Sequence, residues 1–176
     1  MRQLNLFRNV SFTLKLKLKL FFWLFSQSTI IPIITFNNFR RLILNFFGAR
    51  IGSRVKFRRG VRILYPKNLE IGDDCWIGEE VWFINHEKIK IGSNVCLSQR
   101  SIICSGGHDY RSASLEYAHK PVTIKVGAWI CLDAKVLPGV TIGECSVVSA
   151  GEIVRKSLPD YSMLVDGQVR QIDPPK

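Results

Sequence analysis

Ile103-Cys104-Ser105-Gly106-Gly107-His108-Asp109-Tyr110 ends an apolar run in two glycines and then sets a histidine, an aspartate and a tyrosine in succession. A histidine's ordinary pKa, about 6.5, lets it take up and return a proton near neutrality. His108 is therefore a candidate general base. It reads equally as one residue of a solvated loop, HDYRSASLEYAHKP. Asp109 invites comparison with a triad carboxylate, but adjacent side chains of an extended chain point apart. The three histidines, His86, His108 and His119, also match the number of ligands a catalytic zinc needs, provided they converge at about 2.0–2.1 Å from one ion. Five cysteines form no CxxC pair and are odd in number. They read as small buried thiols in a reducing compartment rather than as a disulfide framework or a zinc site.

These residues must be positioned by the chain after Arg50, and there the sequence repeats. Three blocks align without gaps, IGSRVKFRRGVRILYPKNLE from Ile51, IGDDCWIGEEVWFINHEKIK from Ile71 and IGSNVCLSQRSIICSGGHDY from Ile91. An apolar residue returns every six positions, at Ile51, Phe57, Ile63, Ile71, Ile77, Phe83, Ile91, Leu97 and Ile103 within the blocks. The phase resumes at Ile124, Ile130, Val136, Ile142 and Val148. Four residues after most of them stands a small or β-branched partner, such as Val55, Cys75, Ser101, Ala128 or Ser146. A period of six is neither helical nor that of an ordinary strand. It belongs to a chain that turns a corner after every short strand, three strands completing a triangular coil on which the next coil stacks. The expected fold is all-β, a parallel β-helix. Gly52, Gly72, Gly92, Gly127 and Gly143 are expected at corners that need a positive φ or close backbone approach. No strand-then-helix context accompanies a glycine-rich phosphate loop.

Composition bounds the rest. A chain of 176 residues, 47% apolar, can bury one core. Its net charge of +11 is uneven, since residues 1–69 hold 14 Lys/Arg and no Asp/Glu whereas residues 70–176 hold 11 against 14. The basic part is an arm on a mildly acidic body. Leu20 to Phe36 is free of charge, but it is shorter than the roughly 20 residues of a spanning helix, carries Ser26-Gln27-Ser28-Thr29 at its middle, and has Pro32 near its end. No small-x-small cleavage site follows it, which argues against a signal peptide. Two readings stay open: an apolar, basic segment on an anionic membrane surface, or a cap packed on the body. Leu14 to Leu20 alternates Leu with Lys at a strand period, whereas Asn37 to Phe47 reads as a helix stopped by Gly48. No nucleic-acid recognition fold accompanies the basic arm.

The stretches FFGARIG, LSQRSIICSGGHDY, KPVTI and GAWICLDAKVLPGVTIGECSVVSAGEIVRKSLPDYSMLVDG resemble the hexapeptide-repeat acyltransferases. Among these the chain is most similar to sugar O-acetyltransferases of exopolysaccharide synthesis, of the colanic acid type. The resemblance covers about residues 40–167. It implies a left-handed parallel β-helix over residues 49–158 with an excursion loop 106–121. Residues 1–48 would be an apolar, basic, partly helical N-terminal extension, and residues 159–176 a C-terminal tail. It further implies a homotrimer whose active sites lie between subunits, acetyl-CoA as donor with no metal, and a sugar or lipid-linked glycan as acceptor. The place would be the cytoplasm or, through residues 1–36, the inner face of the membrane.

The resemblance also assigns roles. His108, the eighteenth residue counted from Ile91, matches the family's catalytic histidine. Asn85, one coil earlier, falls where related enzymes carry a polar residue touching the acceptor, and it reads equally as a corner residue; His86 is a weaker candidate of the same kind. Asp109 is expected either to shape the loop or to bind acceptor. Trp129, Ala150, Gly151, Arg155 and Lys156 match the donor region, where backbone amides suit pantetheine amides and cations suit phosphates. Three departures stand out: Cys131 and Leu132 are bulkier than the family's residues, and the family's closing motif is shortened to Gly167-Gln168-Val169-Arg170, which leaves the register of Arg170 open. Two other functions share the fold, a zinc carbonic anhydrase and a catalytically silent scaffold. The eleven-residue spacing from His108 to His119 lacks the close pair that the zinc enzymes use, and a scaffold has no need of His108 or the donor end.

Overall fold

The computed structural model describes residues 37–174. Readings that concern residues 1–36 lie outside them. No helix among the described residues is long and apolar enough to cross a membrane.

The chain winds as a three-faced prism of parallel strands. The first face stacks Arg50–Ile51, Leu69–Ile71, Ile89–Ile91, Val122–Ile124 and Thr141–Ile142. The second stacks Lys56–Phe57, Trp76–Ile77, Cys96–Leu97, Trp129–Ile130, Val147–Val148 and Ser162–Val165, and the third Arg62–Ile63, Trp82–Ile84, Ile102–Cys104, Lys135–Val136 and Ile153–Val154. The six-residue phase is the register itself. Ile51, Ile71, Ile91, Ile124 and Ile142 pair in one column. Phe57, Ile77, Leu97, Ile130 and Val148 form the second, and Ile63, Phe83, Ile103, Val136 and Val154 the third. All of these side chains point inward and are buried. The partners four residues on, among them Val55, Cys75, Ala128 and Ser146, fill the corners of the same core.

The corners refine the glycine expectation. Of the five glycines named above, Gly127 alone has a left-handed φ, +71°. In the other coils that corner is taken by Arg54, Asp74, Asn94 and Cys145 at φ 50° to 58°, a conformation that Asp and Asn tolerate through local hydrogen bonds. Close approach explains the rest: a Cβ on Gly72 would lie 2.7 Å from the Ser93 amide of the next coil.

Among the described residues no coil precedes the first, and the helix α1, Asn37–Phe46, takes that place. Asn45 Oδ1 accepts from the Ile51 amide and Asn37 Oδ1 from the Phe57 amide, both at 2.9 Å. Arg40, fully buried, donates to Arg58 O at 3.1 Å and Val61 O at 2.8 Å and lies over the Phe57 ring. Burial pushes its pKa down to about 10, so the cation persists at neutral pH. Side chains of α1 thus satisfy backbone groups that would otherwise be orphaned. At the other end the chain continues past residue 158 as Ser162–Val165, turns at Asp166–Gly167, and returns antiparallel as Gln168–Gln171. That return strand pairs the open edge of the second face.

Candidate active site

The edge between the third and first faces carries the loop. The chain leaves after Ile102–Cys104 and rejoins at Val122–Ile124. Ser105 fixes the departure, its hydroxyl donating to Glu87 O at 2.7 Å and accepting from the Glu87 amide at 2.9 Å on the coil before. The loop then folds on itself as a short antiparallel pair. His108 bridges Tyr117, Asp109 N donates to Glu116 O at 2.8 Å, and Ala118 N to Gly107 O at 2.9 Å.

His108 stands exposed at this edge, with Nδ1 2.7 Å from Leu115 O. A carbonyl can only accept, so Nδ1 carries the hydrogen and Nε2 keeps its lone pair. The neutral ring is thereby set to take a proton at Nε2, the state a general base needs. A backbone carbonyl does the orienting that a carboxylate does in a triad. Asp109 is engaged elsewhere. Its carboxylate accepts from Arg111 N and Nε at 2.9 and 3.0 Å and from Nη2 at 3.2 Å, and the Arg111 hydrogen bonds hold it below the usual carboxylate range. It shapes the loop.

Behind His108 runs a series of rings. Tyr117 lies 5.0 Å from His108 and 4.9 Å from His119, His119 stacks on His86 at 4.8 Å, and His86 meets Tyr65 edge-on at 5.4 Å. Among the described residues no group of three or more His, Cys, Asp or Glu side chains is placed to hold a metal ion.

Asn85 has the corner role and does not face the site. It is fully buried; Oδ1 accepts from Leu64 N and Tyr65 N at 3.1 and 3.0 Å, and Nδ2 donates to Tyr65 O. An amide so committed is a clamp on the neighbouring corner, out of an acceptor's reach.

The donor candidates divide. Gly151, Arg155 and Lys156 line one groove of about 490 Å³ at the C-terminal end of the third face. Arg155 follows Val154 in the column that holds Ile103 and Val136, so the cations lie on the same prism edge as His108, two coils further on. At a strand spacing of about 4.8 Å that is about 10 Å along the axis. Ala150 sits at the corner between second and third faces, beside Gly151 (φ +77°). Trp129 projects from the second face, 48% exposed, its indole donating to Ser98 Oγ at 2.9 Å. Arg170 pairs with Met163 on the return strand of that face. Within one chain the second face is opposite the His108 edge. Cys131 is half-buried, its thiol pushed up by burial, and Leu132 is 39% exposed.

No family model matches this sequence. A protein of Escherichia coli K12 named as a colanic acid biosynthesis acetyltransferase, WcaF, is 41% identical over 120 residues, 68% of this chain and 66% of that protein. Over that stretch the chain is similar to this acetyltransferase. The match spans just under two thirds of that relative's length. The galactoside O-acetyltransferase of the same organism is 28% identical over 124 residues, 68% of this chain and 61% of the relative. Among solved structures, a Vibrio cholerae hexapeptide-repeat acetyltransferase complexed with acetyl-CoA superposes with a TM-score of 0.77 at 22% identity, over 90% of this chain and 87% of that one. A galactoside acetyltransferase complexed with coenzyme A gives 0.77 at 22%, over 93% and 84%. These structures share the coil architecture of this hexapeptide-repeat chain.

Sequence reasoning missed Leu115, whose carbonyl sets the His108 tautomer, and Tyr117, and it weighed His119 only as a zinc ligand. The only signal for them was the placing of Tyr117 and His119 nine and eleven residues after His108, which becomes meaningful once the loop is known to pair with itself.

Proposed function

We propose that this protein transfers an acetyl group from acetyl-CoA to a sugar hydroxyl, His108 acting as general base, in the assembly of an exopolysaccharide or other surface glycan. As the hydroxyl oxygen attacks the thioester carbonyl carbon, its proton passes to Nε2 of His108. When the tetrahedral intermediate collapses, the C–S bond breaks and the imidazolium returns that proton to the thiolate. The products are an acetyl ester and free coenzyme A. Arg155 and Lys156 would hold donor phosphates in the groove beside Gly151, with the pantetheine arm running along the edge towards His108.

The observation that carries this reading is the 2.7 Å bond from His108 Nδ1 to Leu115 O on the edge that also bears the cationic groove. Trp129 and Arg170, across the prism, reach such a site only from a neighbouring subunit. That supports a homotrimer with shared sites. The names of the relatives support a glycan acceptor. Residues 1–36 suit contact with an anionic membrane face, and hence a lipid-linked acceptor at its cytoplasmic side.

The test is acetyl-CoA turnover by the full chain against free and lipid-linked glycans, with His108→Ala in parallel. Acetylated product from at least one glycan, falling about 10²–10⁴-fold in the variant, is expected. Undiminished turnover by the variant would overturn the assignment of the base. Membrane contact predicts binding to anionic vesicles that salt weakens; equal binding to neutral vesicles would refute it.

A further inference from the structure

Gly107, immediately before His108, is held in an unusual way. Its carbonyl accepts from Ala118 N, but its N–H donates to a side chain, His119 Nδ1, at 3.1 Å. A ring nitrogen that accepts from an amide carries no hydrogen, so His119 is the Nε2–H tautomer, the reverse of His108. The His119 ring packs against two others, stacked on His86 at 4.8 Å with 23° between planes and tilted against Tyr117 at 4.9 Å. Tyr117 in turn lies 5.0 Å from His108. Space for this arrangement depends on Gly106, where a Cβ would come within 2.6 Å of His86 Cδ2.

We propose that His119 is a positioning residue for the base: its neutral imidazole anchors Gly107 and, through that residue and Tyr117, aims the His108 ring, and its protonation releases the anchor. The inference rests on the reading of His108 as general base. Protonation would put a hydrogen on Nδ1, facing the Gly107 N–H, and two donors cannot bond. The groups that face His119 are His86 and Glu87 from the preceding coil and His108 and Tyr117 from the loop. Burial first, then the neighbouring His108, lower the His119 pKa, and Glu87 opposes them. His86 is lowered likewise by burial, His119 and His108. These causes favour the neutral form of His119. Because its pKa is lowered, the anchor is intact above that pKa and lost as pH falls through it.

Three variants of the full chain test this. His119→Phe keeps a ring but removes the acceptor; kcat should fall about 10–100-fold with KM for acetyl-CoA within about twofold. His119→Asn offers Oδ1 as an acceptor that does not titrate; its kcat near neutrality should stay within about threefold of wild type. The ratio of its kcat/KM to that of wild type should then rise as pH drops below the histidine range, because only wild type loses the anchor. The pH dependence of this ratio decides the matter even if His119→Phe fails to fold. A ratio constant with pH, or a folded Phe variant as active as wild type, would overturn the proposal. His108→Ala separates the two ideas: inactivity there with indifference at His119 refutes the anchor alone, whereas full activity there refutes the base.

Discussion

The coils and the excursion loop obey different rules. In the coils each residue's environment is set by the residue one turn away: Phe83 pairs in register between Ile63 and Ile103 and is fully buried. In the loop the deciding contacts are single hydrogen bonds within a dozen residues, His108 to Leu115, Asp109 to Arg111 and Gly107 to His119. The coil body provides rigidity by repetition. The loop provides a directed lone pair by exception, and it sits at the corner where the repeat is interrupted at length, between Ile103 and Ile124.

The sharpest way to break this comparison is to mutate once in each region. His108→Ala should cut turnover about 10²–10⁴-fold while moving stability by no more than about 0.5 kcal/mol. Phe83→Ala should do the converse, costing about 3–5 kcal/mol in denaturant unfolding, with the remaining folded protein retaining its kcat. Both variants losing stability alike would mean that the loop is part of the core. Gly72→Ala comes next: its Cβ would press on the Ser93 backbone, which has no room to yield, so about 1–3 kcal/mol should be lost. Replacing Arg155 and Lys156 together by Ala should raise KM for acetyl-CoA about tenfold with kcat nearly constant. A fall in kcat alone would place these cations at the reacting atoms instead.

The smallest effect belongs to the exposed ladders, Arg54 with Asp74 at 2.6 Å and Arg100 with Asp133 at 2.7 Å. Their arginine partners hold both carboxylates below the usual range. Depressed folded-state values mean that the contribution is complete above the unfolded pKa, about 3.9, and is lost as pH falls through the folded one. Being solvent-accessible, the pairs should shift Tm only slightly when Arg54→Ala and Arg100→Ala are melted at neutral pH.

The same contrast explains what was legible. Ile71 and Ile91 could be placed in one column from sequence because stacking repeats a side chain's environment at a fixed interval. The left-handed corners at Arg54 and Asp74 were missed: the next coil's hydrogen bonds hold a conformation that residue type alone assigns to glycine. His108 was legible as a corner residue and through its family resemblance. Its tautomer was not, because Leu115 contributes only a carbonyl, which every residue has. Asn85 had two readings, acceptor contact and a corner residue. The resemblance suggested the first; the bonds of its amide to Leu64 and Tyr65 fit the second, a burial visible only in three dimensions. The helix α1 was readable from Asn37 to Gly48, but not the use of Arg40 and Asn45 to satisfy backbone groups of the first coil.

The central claim is that the loop presents His108 with its hydrogen on Nδ1 and its lone pair on Nε2. It is tested most directly by ¹⁵N NMR of the imidazoles at alkaline pH, where the rings are neutral, with His108→Ala identifying the signals. The account predicts His108 as the Nδ1–H tautomer and His119 as the Nε2–H tautomer in the same spectrum. His108 found as the Nε2–H form would contradict it.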